Sequence, residues 1–461
     1  MLEWPEFVDQ ELDKANASKA ALESIYSALR DTANQLSRPY IRKLTILDLP
    51  DELLLQIFAH LDDMVPPIWP RPYELWSPSA DIKALRFVCR RLPNIAPHLL
   101  IRVVRLNLHE PKSSLARLRE ISRHPAISKG VHVISVKLRF LDASTTKLKA
   151  FISHHSEKIE NEIDTYKRIG LWELDGIPEA AAQVIAERKK LVASLDRLST
   201  NLRSNQDKDK EHALQVRVGH QKYLKLLNEQ ESSVHGDAFF QAVAFAMAMM
   251  PCARSLEFDD NPFRMGGARP GNLMIPGADV WECLHSRMLV PLTGDEVKTK
   301  GMEPPSLRCI IHMINAVRYA DVPLRHLDIK LYSLSRPADL MPDPVPPTVF
   351  SYGMRRLQSF RIKIQDVGRN MNGLHEFLSA CLGTSSLQAL DLDMRGDSEE
   401  RPVSLRLKDL LNRDRSYNKL TDVFLGNLDL RHNGLIAFLG HLPTPMRRLS
   451  INGMTDAEGD F

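Results

Sequence analysis

The hydrophobic positions of the chain follow a helical period at the amino end. Between residues 6 and 36, apolar side chains recur at three- and four-residue steps among charged residues and alanines, and Pro39 follows the run. The apolar members are Leu12, Leu22, Ile25, Tyr26 and Leu29. This pattern predicts an amphipathic helix. We expect its apolar stripe to pack onto its own domain; the alternative is a helix that binds a partner.

A second helix is predicted to begin near Pro50, which suits a first helical turn because its missing N–H has no partner there. Asp51 and Glu52 follow and place acidic charge at the positive end of the helix dipole. The apolar residues form two neighbouring stripes, Leu53 and Ile57 beside Leu54, Phe58 and Leu61. Because this arc is too wide for a helix covered on one side, the helix is either buried or offers one face to a second protein.

A third helix is predicted after a proline-rich loop at residues 64–80, from Asp81 to Leu92. Its apolar face consists of Ile82, Leu85, Val88, Cys89 and Leu92. Pro93 and Pro97 end it. Two short amphipathic helices of this kind hold few residues, and a domain of about 50 residues buries a smaller fraction of its surface than a large domain does.

The residues Leu49-Pro50-Asp51-Glu52-Leu53 through Leu61, followed by Leu85 and Val88-Cys89-Arg90-Arg91, resemble the F-box, a three-helix motif. The resemblance covers about 50 residues. It departs from the common pattern in the proline-rich insertion and in lacking a tryptophan after Arg91. The resemblance implies that the motif binds the Skp adaptor of a cullin ubiquitin ligase. By resemblance, the adaptor-binding residues are Leu49, Pro50, Leu53, Ile57, Leu61, Leu85, Val88 and Cys89.

A recurring Leu-x-x-Leu-x-Leu template marks the carboxyl half. Its central members, Leu327, Phe360, Leu390, Val423 and Leu449, are separated by 33, 30, 33 and 26 residues. Helix-like stretches at 373–382 and 435–442 lie between them. This resembles the irregular leucine-rich repeats that often follow an F-box, and it implies a solenoid of strand and helix units. The alternative is a single mixed α/β domain whose strands share the template.

If these strands are parallel and adjacent, their outward side chains form two rows. The first row is Asp328, Arg361, Asp391, Phe424 and Ser450, and the second is Lys330, Lys363, Asp393, Gly426 and Asn452. We expect Arg361 to pair with Asp391 and Lys363 with Asp393. Because paired charges leave no cluster of basic side chains, phosphopeptide recognition is not favoured. Phe424, Lys330 and Asp328 are the candidate contacts to a recruited substrate protein.

The predicted fold class is α+β: a helical F-box followed by an irregular leucine-rich-repeat α/β solenoid with an inserted helical segment. Earlier strands are expected at 101–108, 131–138 and 256–258, with a buried helix at 238–250. Two long helices are expected in the insertion, with 205–211 as a solvated connection. The domain ranges are 1–43 for the first helix, 44–100 for the F-box, 101–143 for the first strands, 144–235 for the insertion and 236–461 for the repeats.

Composition narrows the function classes. A net charge of +3 over 461 residues argues against binding nucleic acid or a membrane by bulk charge. Five scattered cysteines and the lack of a long apolar segment favour an intracellular protein, in cytoplasm or nucleus. The sequence contains no recognisable catalytic, cofactor or metal motif, so a non-catalytic receptor subunit is favoured over an enzyme on an α/β scaffold. An F-box protein acting with the adaptor outside a ligase is the second possibility.

Overall fold

The computed structural model describes two compact units, which divide after Leu61. The residues described are 4–37, 48–61, 97–173, 179–200, 207–260, 288–289, 291–292, 306–334, 352–367, 372–396, 403–404, 417–429, 439–440, 442 and 446–452. Of the predicted elements, the helix at 81–92, the loop at 64–80 and most of the helix at 435–442 lie outside these residues.

The first unit contains two helices, α1 (Trp4–Ser37) and α2 (Asp51–Leu61). Both helices stand where the hydrophobic pattern predicts them. Asp51 and Glu52 occupy the first turn of α2, and the amide of Leu54 donates to the carbonyl of Pro50 at 3.1 Å. Every described side chain of α1, residues 11–36, is exposed. The expectation that its apolar stripe is covered by its own domain is therefore wrong.

The second unit is built on strands. They are β1 (Val103–Asn107), β2 (Val133–Lys137), β3 (Ser255–Asp259), β4 (His326–Leu334), β5 (Ser359–Val367), β6 (Ala389–Gly396), β7 (Val403–Ser404), β8 (Asp422–Gly426), β9 (Leu428–Asp429) and β10 (Arg448–Asn452). In the described part of the chain, eight of these strands form one parallel sheet in the order β1-β2-β3-β4-β5-β6-β8-β10, and β7 pairs with β9. Each strand of the main sheet thus lies beside its predecessor in the sequence.

Helices connect these strands, and four of them supply buried residues to the core on one face of the sheet. They are α3 (Pro111–Arg123), α4 (Leu148–Glu173), α5 (Glu179–Thr200), α6 (Asp207–His235), α7 (Ala238–Met249), α8 (Ser306–Tyr319) and α9 (Asn372–Leu382). The main core joins inward strand residues such as Phe258 and Phe360 to Phe240 of α7, Ile310 of α8 and Phe377 of α9. Successive side chains of a strand point to opposite faces of the sheet. Every second strand residue therefore belongs to this core.

The strand predictions are confirmed. The five template segments fall on β4, β5, β6, β8 and β10, and their central members are partners in register from Leu327 to Phe360, Leu390, Val423 and Leu449. The earlier strand candidates are β1, β2 and β3, and the predicted buried helix is α7. A mixed helix and strand fold with a parallel sheet is therefore observed.

The insertion between β2 and β3 contains three described helices, α4, α5 and α6, instead of the predicted two. They form a smaller core with Phe151, Ile163, Leu195 and Tyr223. Residues 207–211, expected to be a connection, form the first turns of α6. Acidic residues such as Asp207 and Asp209 suit this position because the amino end of a helix is electropositive.

The described helices include no segment with both the length and the apolar character required to span a bilayer.

Candidate partner-binding sites

The amino half of α2 presents two differently covered faces. Leu54 is fully buried, whereas Leu53 keeps 44% of its surface exposed. Pro50 is exposed and Leu49 and Ile57 are half-buried. Leu53 and Ile57 are four residues apart, so they lie on the same side of the helix. The amino half of α2 therefore has one buried position, Leu54, beside a partly open apolar stripe.

Leu49, Pro50, Leu53 and Ile57 belong to the predicted adaptor-binding set, and all four lie on one short segment. The side chain of Leu61 and all of Leu85, Val88 and Cys89 lie outside the described residues. The structure consequently describes half of the predicted site, and that half is the part carried by α2 and the residues just before it.

The outward rows of the sheet have the predicted register. Asp328, Arg361, Asp391, Phe424 and Ser450 are partners on consecutive strands, and so are Lys330, Lys363, Asp393, Gly426 and Asn452. Both rows continue to β1, the first through Glu257, Ser135 and Arg105 and the second through Asp259, Lys137 and Asn107. The Leu-x-x-Leu-x-Leu template predicts the rows only from β4 onward, because the earlier strands do not carry the full template.

Both predicted charge pairs are present. Arg361 Nε lies 2.7 Å from Asp391 Oδ2, and Lys363 Nζ lies 3.3 Å from Asp393 Oδ2. Arg361 Nη1 is also 3.6 Å from Asp328 Oδ2. On the next strand, Lys330 Nζ lies 3.5 Å from Asp328 and 3.7 Å from Glu257, and Lys137 pairs with Asp259. The row charges therefore neutralise one another across five consecutive strands.

Several of these acids are buried, although they lie on the face away from the helices. Glu257, Asp259, Asp328 and Asp391 are each less than a tenth exposed. Burial raises the pKa of Asp391, while the charges of Arg361 and Lys363 lower it. Because water solvates these carboxylates poorly, the neighbouring cations supply most of their stabilisation. The paired charges chiefly hold neighbouring strands together.

This pairing makes two of the three predicted substrate contacts, Lys330 and Asp328, poorly accessible to a partner. The side chains of Lys330 and Asp328 are only 12% and 11% exposed, and they pair with each other. Phe424 is half-buried, and Lys363 Nζ lies 5.5 Å from the centre of its ring. Ser450 and the exposed Asn452 follow on β10, the last strand of the sheet among the described residues. Arg105 on β1 is also exposed, so both ends of the two rows are more open than the middle.

A second open surface, which the sequence reasoning missed, lies on the helix layer. An open groove of about 890 Å³ runs between α3, α7 and α8. Phe245 and Tyr319 project beside it, mostly exposed, and Arg119 and Arg123 line one side. The signal was available in the sequence: α7 is apolar on all sides, so a helix packed on one face must expose apolar residues on the other.

The described residues contain no cluster of histidine, cysteine and acidic side chains suited to hold a metal ion. Two further buried groups have shifted pKa values. Burial lowers the pKa of His109 to about 4, with a further contribution from the charge of Arg139. Burial also raises the pKa of Cys309 to about 12, which keeps that thiol protonated.

Comparisons of the chain with protein-family models, with curated proteins and with solved structures found no match.

Proposed function

We propose that the chain is the substrate-recognition subunit of a Skp-cullin-F-box ubiquitin ligase. In this proposal, the segment around α2 binds the Skp adaptor, and the parallel sheet, an irregular leucine-rich solenoid, binds a protein to be ubiquitinated. The receptor itself carries out no chemistry, because holding the target near a carrier enzyme raises its effective concentration.

The partly exposed Leu53 beside the buried Leu54 is the observation that carries the proposal. A helix needs one stripe to attach to its own unit, and a second apolar stripe left open to water is unfavourable by about 25 cal/mol per Å². Covering that stripe with another protein removes this cost. In the same segment, Leu49-Pro50 and Ile57-Phe58 match the Leu-Pro and Ile-Phe positions of the F-box signature.

The sheet supports the second half of the proposal. Parallel strands in sequential order place one outward residue from each strand in a row, and such a surface can contact an extended stretch of a partner. The mutually paired charges between β2 and β6 favour the open ends of the rows as contact regions, and the aromatic ring of Phe424 favours the β8 and β10 end of the two. Phe424 is then the leading candidate contact, with Lys330 and Asp328 as supporting members of the rows.

Co-purification of the full chain with the adaptor and a cullin tests the first half. We expect Pro50→Ala combined with Ile57→Asp to abolish adaptor capture. Because Ile57 is half-buried, Leu53→Asp serves as a second variant whose side chain is already open to water. Glu52→Gln, exposed on the same helix and about 100° around the helix axis from Leu53, is the matched control and should retain capture.

The outcomes separate the alternatives. Capture of both adaptor and cullin by the wild type supports the ligase subunit, whereas adaptor without cullin supports a role outside a ligase. Capture of neither, or undiminished capture by Leu53→Asp and by the double variant, would show that the proposed interface is wrong.

Proximity labelling in cells tests the substrate surface. Phe424→Ala should reduce the labelling of a subset of neighbours without affecting the adaptor. Phe245→Ala in the helix-layer groove is the comparison variant, because Phe245 is exposed and lies on the opposite layer. Loss of neighbours with Phe245→Ala alone would move the substrate site to that groove.

A further inference from the structure

A seven-residue apolar repeat runs along one face of α1. Leu22, Leu29 and Leu36 are spaced by seven residues, and Tyr26 follows Leu22 by four. These are the a and d spacings of a coiled-coil heptad. We name the full set the α1 seam: Leu12, Ala15, Lys19, Leu22, Tyr26, Leu29, Ala33 and Leu36. Its large apolar members are each between 58% and 70% exposed.

The α1 seam contains a hollow into which a side chain of a second helix can fit. A shallow hollow is lined by Ala15, Ser18, Lys19, Leu22, Glu23 and Tyr26. These six residues form two adjoining sets at positions i, i+3, i+4 and i+7, the first beginning at Ala15 and the second at Lys19. Four residues at this spacing surround the hole that takes one side chain of a partner helix in a coiled coil.

The seven-residue period of the α1 seam also indicates that its partner is a helix. A surface helix of a globular domain usually has a broader stripe at a period of 3.6 residues, and a seam that repeats every seven residues matches another helix. An isolated helix in water gains little stability from helix propensity alone. A helix of 34 residues with an exposed seam is therefore expected to gain stability from a partner that packs along its length.

The charges beside the seam point to α1 of a second copy. Glu23 and Arg30 both occupy the e position, directly after Leu22 and Leu29. In a parallel pair they would face the g residues Ser18 and Ile25 of the other helix and make no ion pair. In an antiparallel pair e faces e, so Glu23 of each copy meets Arg30 of the other. We propose that α1 joins two copies of this chain as an antiparallel coiled coil.

Lys19 fits this arrangement as the one charged member of the α1 seam. A single polar residue at an a position reduces stability and restricts the register and the number of helices. The inference rests on α1 alone and is independent of the adaptor and substrate functions proposed above. An adaptor-binding result of either sign leaves it unchanged.

Sedimentation equilibrium of the purified full chain tests the association. We expect a species of twice the 52.3 kDa chain mass at micromolar concentration. Leu22→Asp combined with Leu29→Asp should weaken dimerisation by about a hundredfold or more, because charge replaces two apolar side chains of the seam. Since both side chains are exposed in the single chain, the thermal unfolding of the rest of the protein should not change. Ala21→Asp with Ala28→Asp is the matched control, exposed but off the seam, and should remain dimeric.

A charge exchange tests the orientation. Glu23→Arg alone and Arg30→Glu alone should each weaken the dimer by about threefold or more at low salt, and the combined exchange should restore it. A wild type that stays monomeric, or a dimer that the seam substitutions leave intact, would overturn the proposal. A dimer whose affinity shows no rescue in the combined exchange would also overturn it, because a parallel pair has no contact between these charges.

Discussion

The guanidinium of Arg361 and the carboxylate of Asp391 meet across two neighbouring strands, where Arg361 Nε donates to Asp391 Oδ2 at 2.7 Å. Arg361 also reaches Asp328 on its other side, with Nη1 3.6 Å from Oδ2. One cation thus neutralises buried acids on both flanking strands. Since burial raises the pKa of Asp391 and the charge of Arg361 lowers it, the ionised form of this acid depends on Arg361.

Replacing Arg361 with Met should therefore destabilise the sheet by about 2 to 4 kcal/mol near neutral pH, because it leaves two carboxylates buried without their shared cation. The loss should be larger near pH 8 than near pH 5. Without Arg361 the pKa of Asp391 rises further, and a group with a raised folded-state pKa favours folding less as the pH increases. Urea unfolding at the two pH values measures both effects.

Lys363→Met is the control for this prediction. Lys363 and Asp393 form the neighbouring pair at 3.3 Å, but their side chains are 38% and 22% exposed. Water screens such a pair, so its removal should cost about 1 kcal/mol or less. Equal losses for the two substitutions would show that burial does not govern the strength of these pairs.

Gly130 packs against the backbone of the short 3-10 turn at Pro97–Leu99. A Cβ at this position would overlap the carbonyl oxygen of His98, and a backbone atom cannot move aside as a flexible side chain can. Gly130→Ala should therefore lower the free energy of unfolding by about 3 kcal/mol. Gly440→Ala, where a Cβ would meet no atom within 4 Å, should change it by less than about 1 kcal/mol. Thermal or urea unfolding of the two variants side by side checks the prediction.

The inserted helices are fastened to the end of the first strands by Tyr223. Its hydroxyl accepts from the amide of Asp142 at 2.6 Å and donates to the carbonyl of the same residue at 3.0 Å. Tyr223→Phe removes both bonds with little change in shape, so we expect a loss of about 1 to 3 kcal/mol. Faster hydrogen exchange at the Asp142 amide is the direct readout. Tyr319→Phe, at a residue that is mostly exposed, should be close to neutral.

The strand register of the second unit was predictable, because a Leu-x-x-Leu-x-Leu spacing fixes both the inward face and the alignment of adjacent parallel strands. Leu390 and Val423 become partners because each is the central member of its own template. The pairing of Arg361 with Asp391 follows from that register without further information.

The helical insertion was predicted less well. The charges at 207–211 indicated a solvated connection, but the same charges are compatible with the first turns of a helix, which is where α6 places them. The exposure of α1 was also missed. Periodicity identifies an apolar stripe, but whether another part of the chain covers that stripe depends on tertiary contacts between residues distant in the sequence.

The groove beside Phe245 illustrates the same limit. An apolar α7 was predicted to be buried, and most of it is, with Phe239, Phe240 and Val243 in the core. Its position between α3 and α8 decides which residues remain open, and that position follows from the sheet order and not from the sequence of the helix. Local pattern therefore determined the elements, whereas packing determined the surfaces.

Asp260 is a carboxyl group whose ionisation should make the stability of the protein depend on pH. It follows β3, and its Oδ1 accepts from the amide of Tyr332 at 2.6 Å. Burial raises its pKa to about 8; the hydrogen bond from Tyr332 opposes this, and the charge of Asp259 adds to it. Since the folded-state pKa is above the ordinary 3.8, the folded protein holds this proton more tightly than the unfolded chain. Its contribution to stability should therefore be lost as the pH rises from about 4 to about 8.

Asp260→Asn keeps an oxygen that can accept the Tyr332 hydrogen bond and removes the titration. We expect it to be about as stable as the wild type near pH 4.5 and more stable by about 1 to 3 kcal/mol near pH 8.5, a range that allows for the partial exposure of Asp260. Urea unfolding across this pH range gives the slope for each protein. Asp321→Asn, at an exposed carboxyl, should leave the slope unchanged. A slope that is the same in Asp260→Asn and in the wild type would show that Asp260 is ionised in the folded protein throughout this range.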